Sequence, residues 1–257
     1  MPTQTVAPAD ARAHLEEHGW AMLDGHYAAE TLREMAEVLD RLVTASGARS
    51  FCSDEPEWLA ANVEVARPGL AFYRLLGLAP ELAPTLFRPA VTEALRSVLG
   101  GDMHLELVGA VVSDETRPFT EWETHLGGID DERWRQQGRR PRRTSTKRIA
   151  HFLFLEPMTP ETGAWRVWPR RLGDPPEPPV EPSEAEWPGS RELTCEAGTV
   201  LLLDESTWHS VTPRRRPGRR RFVGAYFASA AAEATFGVDE SLGDLSTDDA
   251  HFRSLLR

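Results

Sequence analysis

At Gly100-Gly101 the spacing of apolar residues changes character, and this switch constrains the fold more than any other feature of the chain. Before it, "PADARAHLEEHG" (8–19), "AAETLREMAEVLDRLVTASG" (28–47) and "PAVTEALRSVLGG" (89–101) repeat apolar residues at helical spacing, with Asp10 as an N-cap and Gly19 as a stop. Residues 56–100 read as mostly helical, and "WAMLDG" (20–25) as one short strand. After it, "MHLELVGAVVSD", "RIAHFLFLEPM", "GAWRVWP", "GTVLLLDES" and "RRRFVGAYFAS" are short runs rich in β-branched and aromatic residues, bounded by Gly, Pro, Asp or Ser, as strands are. Helices followed by many strands predict a single α+β domain: helical support over about 1–100, a sandwich or barrel over about 101–230, and a C-terminal tail at 231–257. The loop "GDPPEPPVEPSEAEWPGS" (173–190) is too rich in proline and acid for a strand and is expected to be a solvated insertion or a lid.

A chain of 257 residues is long enough for one sizeable core. Its net charge of -11 argues against general nucleic-acid binding, which needs surplus Lys and Arg. Only Cys52 and Cys195 are present, without metal-binding spacing, and neither a signal peptide nor a long apolar run is seen. A soluble cytoplasmic protein, not bound to a membrane, is the expectation.

Two of the eight histidines have chemical context. His125 follows a strand-rich segment, and His209 follows the apolar strand of "AGTVLLLDESTWHSVTP". From Gly198 to Phe227 the order is glycine turn, buried strand, histidine, "VTP" turn, basic loop and an arginine entering another strand. That order resembles the distal half of the double-stranded β-helix of Fe(II)/2-oxoglutarate oxygenases, in particular the phytanoyl-CoA dioxygenase-like branch. "HLEEHGWAMLDGHYAAETLREMAEVLDRL" and "PETGAWRVWPRRLGD" are similar to the family's opening elements and its glycine-to-proline segment, although Arg170 stands where glycine is commoner. The likeness spans about residues 10–230. It implies an α+β fold with a double-stranded β-helix core (jelly-roll, cupin-like) flanked by N-terminal helices, and Fe(II), 2-oxoglutarate and O2 as cofactors.

The resemblance assigns His125 and His209 to the metal. Two imidazoles and a carboxylate make a facial triad that leaves positions open for a chelating cosubstrate and dioxygen. An arginine suits the far carboxylate of 2-oxoglutarate because its planar guanidinium donates two charge-assisted hydrogen bonds. Arg220 fits the family spacing best; Arg219 and Arg221 are its alternatives and point to the opposite strand face. Ser210 and Thr212 are further candidates for hydrogen bonds to cosubstrate or halide.

In hydroxylating members the first motif is His-X-Asp or His-X-Glu, whereas His125-Leu126-Gly127 has no carboxylate. One reading recruits Asp130, Asp131 or Glu123, with Glu123 expected to face away and the aspartates lying beyond a flexible Gly127-Gly128 pair. A second is a hydroxylase with a vacant position, or a non-catalytic binding module. In the third, Gly127 is the device: the iron halogenases of this superfamily resemble the chain here, and chloride or bromide fills the vacancy and restores the missing charge. Halogenation of an unactivated aliphatic C–H bond, in natural-product biosynthesis, is the leading expectation, with hydroxylation next. A zinc hydrolase built on the same histidines is an alternative from another class.

The substrate is expected to be a small molecule. If the basic run Arg139 to Arg148 overhangs the site, an anionic amino acid, nucleotide or carrier-tethered acyl group fits; otherwise that run is a solvated loop. His151, in a strand, is expected to be a hydrogen-bonded structural residue, and Trp165, Trp168 and Trp208 to wall the site or fill the core. Nothing in the sequence sets the oligomeric state.

Overall fold

The computed structural model describes residues 5–125, 144–175, 177–232, 238–245 and 247–256. Helix α1 (Ala11–His18) ends at Gly19, whose φ of 80° is left-handed, as the sequence predicts. Strand β1 (Trp20–Asp24) leads into α2 (Ala29–Ser46), which buries Leu32, Met35, Leu39 and Val43 along one stripe. Residues 57–72 depart from the helical expectation. They form three short antiparallel strands, β2 (Glu57–Ala60), β3 (Val63–Ala66) and β4 (Gly69–Phe72). Turns at 61–62 and 67–68 are too close together to leave a helix, and alternating Val63 and Val65 suit a pleat. Short helices α3 (Leu75–Leu78) and α4 (Ala83–Leu86) and the longer α5 (Pro89–Leu99) complete this half.

The remaining strands are β5 (His104–Ser113), β6 (Thr120–Glu123), β7 (Arg148–Phe154), β8 (Trp165–Val167), β9 (Arg191–Leu193), β10 (Thr199–Asp204), β11 (His209–Val211) and β12 (Arg220–Ala228). They form an eight-stranded sheet, ordered β1-β10-β7-β12-β5-β4-β3-β2, and a four-stranded sheet, ordered β6-β11-β8-β9. All the ladders within both sheets are antiparallel. Phe152, Phe154, Leu201, Leu203 and Phe222 of the large sheet pack with Trp165, Val167, Leu193 and Val211 of the small one. The result is the jelly-roll sandwich expected of the sequence. The opposite face of the large sheet is covered by the helices through a second, larger core containing Leu15, Met35, Leu95, Leu153 and Val223.

The proline-rich loop is mostly exposed, as expected of a solvated insertion, but one of its residues anchors it to the protein. Its Trp187 is buried against Trp122 and Trp208 on the outer side of the small sheet, stacking on Trp122 at 4.4 Å. Trp122 Nε1 donates to Glu184 O, and Arg166 donates to Ala185 O. One large aromatic ring supplies enough buried area to dock a loop whose backbone cannot join a sheet.

Candidate active site

Between the sheets lies a cavity of about 280 Å³. Part of its wall is built by β6 and β11, which pair with Glu123 opposite His209 and a register shift just beyond. The turn from Asp204 to Trp208 fixes His209: Asp204 accepts from Ser206 N and Thr146 Oγ1, and Thr207 Oγ1 donates to Gly19 O. Arg170, where glycine was the commoner residue, braces the same turn by donating to Ser206 O. His125 is tied to it as well, since its backbone N–H donates to Glu205 O at 2.8 Å.

The two imidazoles expected to meet do meet. His125 Nε2 and His209 Nε2 are 2.9 Å apart, and Trp165 stacks on His209 with 6° between the rings. Two adjacent ligands, each about 2 Å from one ion and at right angles, have nearly this separation. Burial lowers the pKa of His209 to about 4; burial and then His209 hold His125 well below the usual range. Both rings are therefore neutral near pH 7, the form that binds metal. Thr207 O accepts from His209 Nδ1, so Nε2 of that ring bears a lone pair. It follows that His125 Nε2 donates across the 2.9 Å gap, and that Tyr226 Oη donates to His125 Nδ1 at 2.7 Å. An ion between the rings requires the His125 proton to move to Nδ1, with Tyr226 as acceptor.

Glu123 does not face away. Its Oε1 lies 3.7 Å from His209 Nε2, and ligand atoms of Glu123, His125 and His209 all fall within 4.8 Å of one another. Residues two apart in an extended segment share a side, so Glu123 follows His125 into the cavity. This period-2 relation was the signal available in the sequence. Gly127, Asp130, Asp131 and Arg139 to Arg143 lie outside the described residues.

The cavity is also lined by Arg220, Arg117 and Thr120, and by the Trp165 that stacks on His209. Arg220 enters at the start of β12, 2% exposed, while its neighbours turn to the opposite face, where Arg219 and Arg221 pair with Asp40 at 2.7 and 2.8 Å. Arg221 also contacts Glu156. Alternation along β12 thus leaves one of the three arginines in the cavity. Burial, and next Arg117, lower the Arg220 pKa well below its ordinary value. Arg117, which sequence reading missed, is 1% exposed and is lowered to about 10 by burial. Buried Nε of Arg220, Nε and Nη1 of Arg117, Oγ1 of Thr120 and Nε1 of Trp165 have no hydrogen-bond partner among the described residues. Orphaned donors of this kind are costly unless a ligand accepts from them.

Several expected residues stand elsewhere. Ser210 is buried with its side chain outside the cavity, on the other face of β11 from His209, and Thr212 Oγ1 donates to Ala164 O. Trp208 and Trp168 pack in the outer tryptophan cluster. His151 is on the helix side of the large sheet between Phe87 and Phe227, and neither ring nitrogen has a partner among the described residues. It is therefore not the hydrogen-bonded residue anticipated. Arg148 is buried in a two-pronged pair with Glu106, at 2.8 and 3.1 Å, rather than reaching over the mouth.

No family model matches this chain, and no curated protein sequence matches it significantly. Its fold is shared with solved structures. EctD from S. alaskensis, solved with 2-oxoglutarate and 5-hydroxyectoine, superimposes with a TM-score of 0.66 at 17% identity, over 93% of this chain and 84% of that one. SnoN, an epimerase in complex with Fe3+, alpha ketoglutarate and nogalamycin RO, gives 0.63 at 14%, over 90% and 86%. HygX from Streptomyces hygroscopicus, with nickel and 2-oxoglutarate bound, gives 0.59 at 12%, over 86% of each chain. The chain thus shares the jelly-roll fold of these proteins. Among the described residues no helix is long and apolar enough to cross a membrane.

Proposed function

We propose that this chain is an Fe(II)/2-oxoglutarate-dependent oxygenase that oxidises an unactivated C–H bond of a small molecule. The observation that carries this reading is the meeting, in one cavity, of a His125–His209–Glu123 donor set with a buried, carboxylate-free Arg220. Both sets of residues fit the groups they would hold. Two neutral imidazoles and a carboxylate suit Fe(II), and the orphaned donors of Arg220, Thr120 and Trp165 suit a carboxylate that ends up out of water. When bound, iron and 2-oxoglutarate supply the oxidising power: 2-oxoglutarate, O2 and substrate C–H give succinate, CO2 and C–OH.

The protein's part is placement and electrostatics. Trp165 fixes the His209 ring by stacking, Thr207 fixes its tautomer, and Tyr226 holds the proton state of His125. Gly109 and Gly224, paired across β5 and β12, leave space on the cavity floor, and Phe152 and Phe222 make it apolar. A substrate with an apolar body fits that surface. Relatedness in fold to an enzyme from nogalamycin biosynthesis supports a place in natural-product metabolism.

Anaerobic titration with Fe(II) and 2-oxoglutarate is expected to produce a weak visible charge-transfer band that Glu123→Ala diminishes. A protein that forms no band with His125 and His209 intact is not such an oxygenase. Halogenation remains a second reading, favoured by Gly127 at the position of the usual acid. It predicts that chloride perturbs the band of the wild type. If chloride has no effect while Glu123→Ala weakens iron binding, Glu123 is the third ligand and hydroxyl transfer is the reaction.

A further inference from the structure

Buried arginines normally find a carboxylate. Arg117 and Arg220 do not: neither forms an ion pair among the described residues, although they are 1% and 2% exposed. Each is held by a backbone carbonyl instead. Arg117, from the loop between β5 and β6, donates through Nη2 to Thr212 O at 2.7 Å; Arg220 donates through Nη1 to Gly163 O at 2.6 Å. The nearby Arg214 is spent on Arg216 O and Pro217 O and adds to the positive potential.

Gly163 is where the two guanidiniums converge. A Cβ placed there would lie 1.9 Å from Arg117 Nη2 and 2.8 Å from Thr212 O, and its φ of +86° is itself unfavourable for other residues. The chain thus keeps a bare backbone at the one point that lets Arg117 reach the cavity beside Arg220. Two adjacent buried cations repel, and hydrogen bonds to carbonyls neutralise neither. The donors left without partners, Arg117 Nε and Nη1 and Arg220 Nε, belong to two groups lining one cavity. A single arginine would suffice to recognise one carboxylate in two-pronged fashion.

We propose that Arg117 is a second guanidinium of the cosubstrate seat and sets the preference for a dicarboxylic 2-oxo acid over one that lacks the distal carboxylate. This rests on the oxygenase reading above, in which Arg220 faces that carboxylate. With Arg117 added, the seat has charge to spare for an anion and nothing to offer an alkyl terminus, whose burial there would leave both cations unpaired.

Calorimetric titration of the full chain, loaded with Ni(II), with 2-oxoglutarate and with 2-oxovalerate separates the possibilities. Arg117→Gln is expected to weaken 2-oxoglutarate by about 10- to 100-fold, the usual effect of a charged hydrogen bond. Binding of 2-oxovalerate should stay the same or tighten, so the preference collapses; Arg117→Lys should recover part of it. The melting temperature without ligand should not fall in either variant, whereas the rise caused by 2-oxoglutarate should shrink. An unchanged 2-oxoglutarate affinity in Arg117→Gln, or an equal loss for both acids, overturns the proposal and leaves Arg117 a support for Thr212. If Arg117→Gln does not fold, an Arg117→Lys protein that binds both acids as the wild type does overturns it too. Arg220→Gln is the control for the underlying reading: should 2-oxoglutarate bind it normally, the cosubstrate seat lies elsewhere and both ideas fall, whereas loss in Arg220→Gln alone removes only the role of Arg117.

Discussion

His151 and His209 are equally buried, and burial lowers both to a pKa of about 4. Their surroundings differ in every other respect. His209 faces the cavity with a carbonyl on one nitrogen, His125 on the other, Trp165 against its ring and Glu123 nearby. His151 faces the helices, where Phe87 and Phe227 present ring edges. A depressed proton affinity therefore marks desolvation, not a site. What marks the site is the second layer of groups that fixes tautomer and direction.

The contrast can be broken by substitution, and the largest effect belongs to the cavity side. His209→Ala is expected to reduce Fe(II) affinity by more than about 100-fold, beyond the loss usual for a supporting residue; anaerobic iron binding with circular dichroism as the folding control measures it. His151→Leu should leave iron binding unaltered. If it weakens iron as His209→Ala does, the two faces of the sheet are not independent.

On the helix side the expected signature is in stability. The folded His151 value of about 4 lies below its ordinary 6.5, so the unfolded chain takes up more protons between those pH values. Its contribution is therefore complete above about pH 6.5 and is lost as pH falls towards 4, by about 3 kcal/mol in total. Subtracting the pH profile of His151→Leu from that of the wild type in denaturant melts isolates this term from those of His125 and His209. A flat difference would mean that the ring is hydrated or protonated in the native state.

Tyr226→Phe gives the smallest change. It removes the hydroxyl that governs the His125 proton and should lower metal affinity by about tenfold, with no loss of fold. A variant that binds iron as tightly as the wild type would reduce Tyr226 to a wall of the cavity.

Much of this arrangement was legible in local pattern. The run from Gly198 to Phe227 announces a buried strand, a histidine and an arginine at family spacing, and β10, β11 and β12 follow it closely. Residues 57–72 were misread because strands of four residues leave too short a period to distinguish from a broken helix. Glu123 was misjudged although two-residue alternation was available. Trp187 gave no sign that it would dock an otherwise polar loop, since its partners Trp122 and Trp208 are far away in sequence.

The sequence by itself determined the order of helices and strands, the two histidines and the set of three arginines from which one would enter the cavity. It did so because side-chain period and turn residues act over a few positions. Only the tertiary structure decided that Glu123 joins those histidines, that His151 does not, and that Arg117 meets Arg220 over Gly163. Those relations depend on which strands become neighbours and which face turns inward, and contacts between residues so distant along the chain exist only once both sheets have closed on each other.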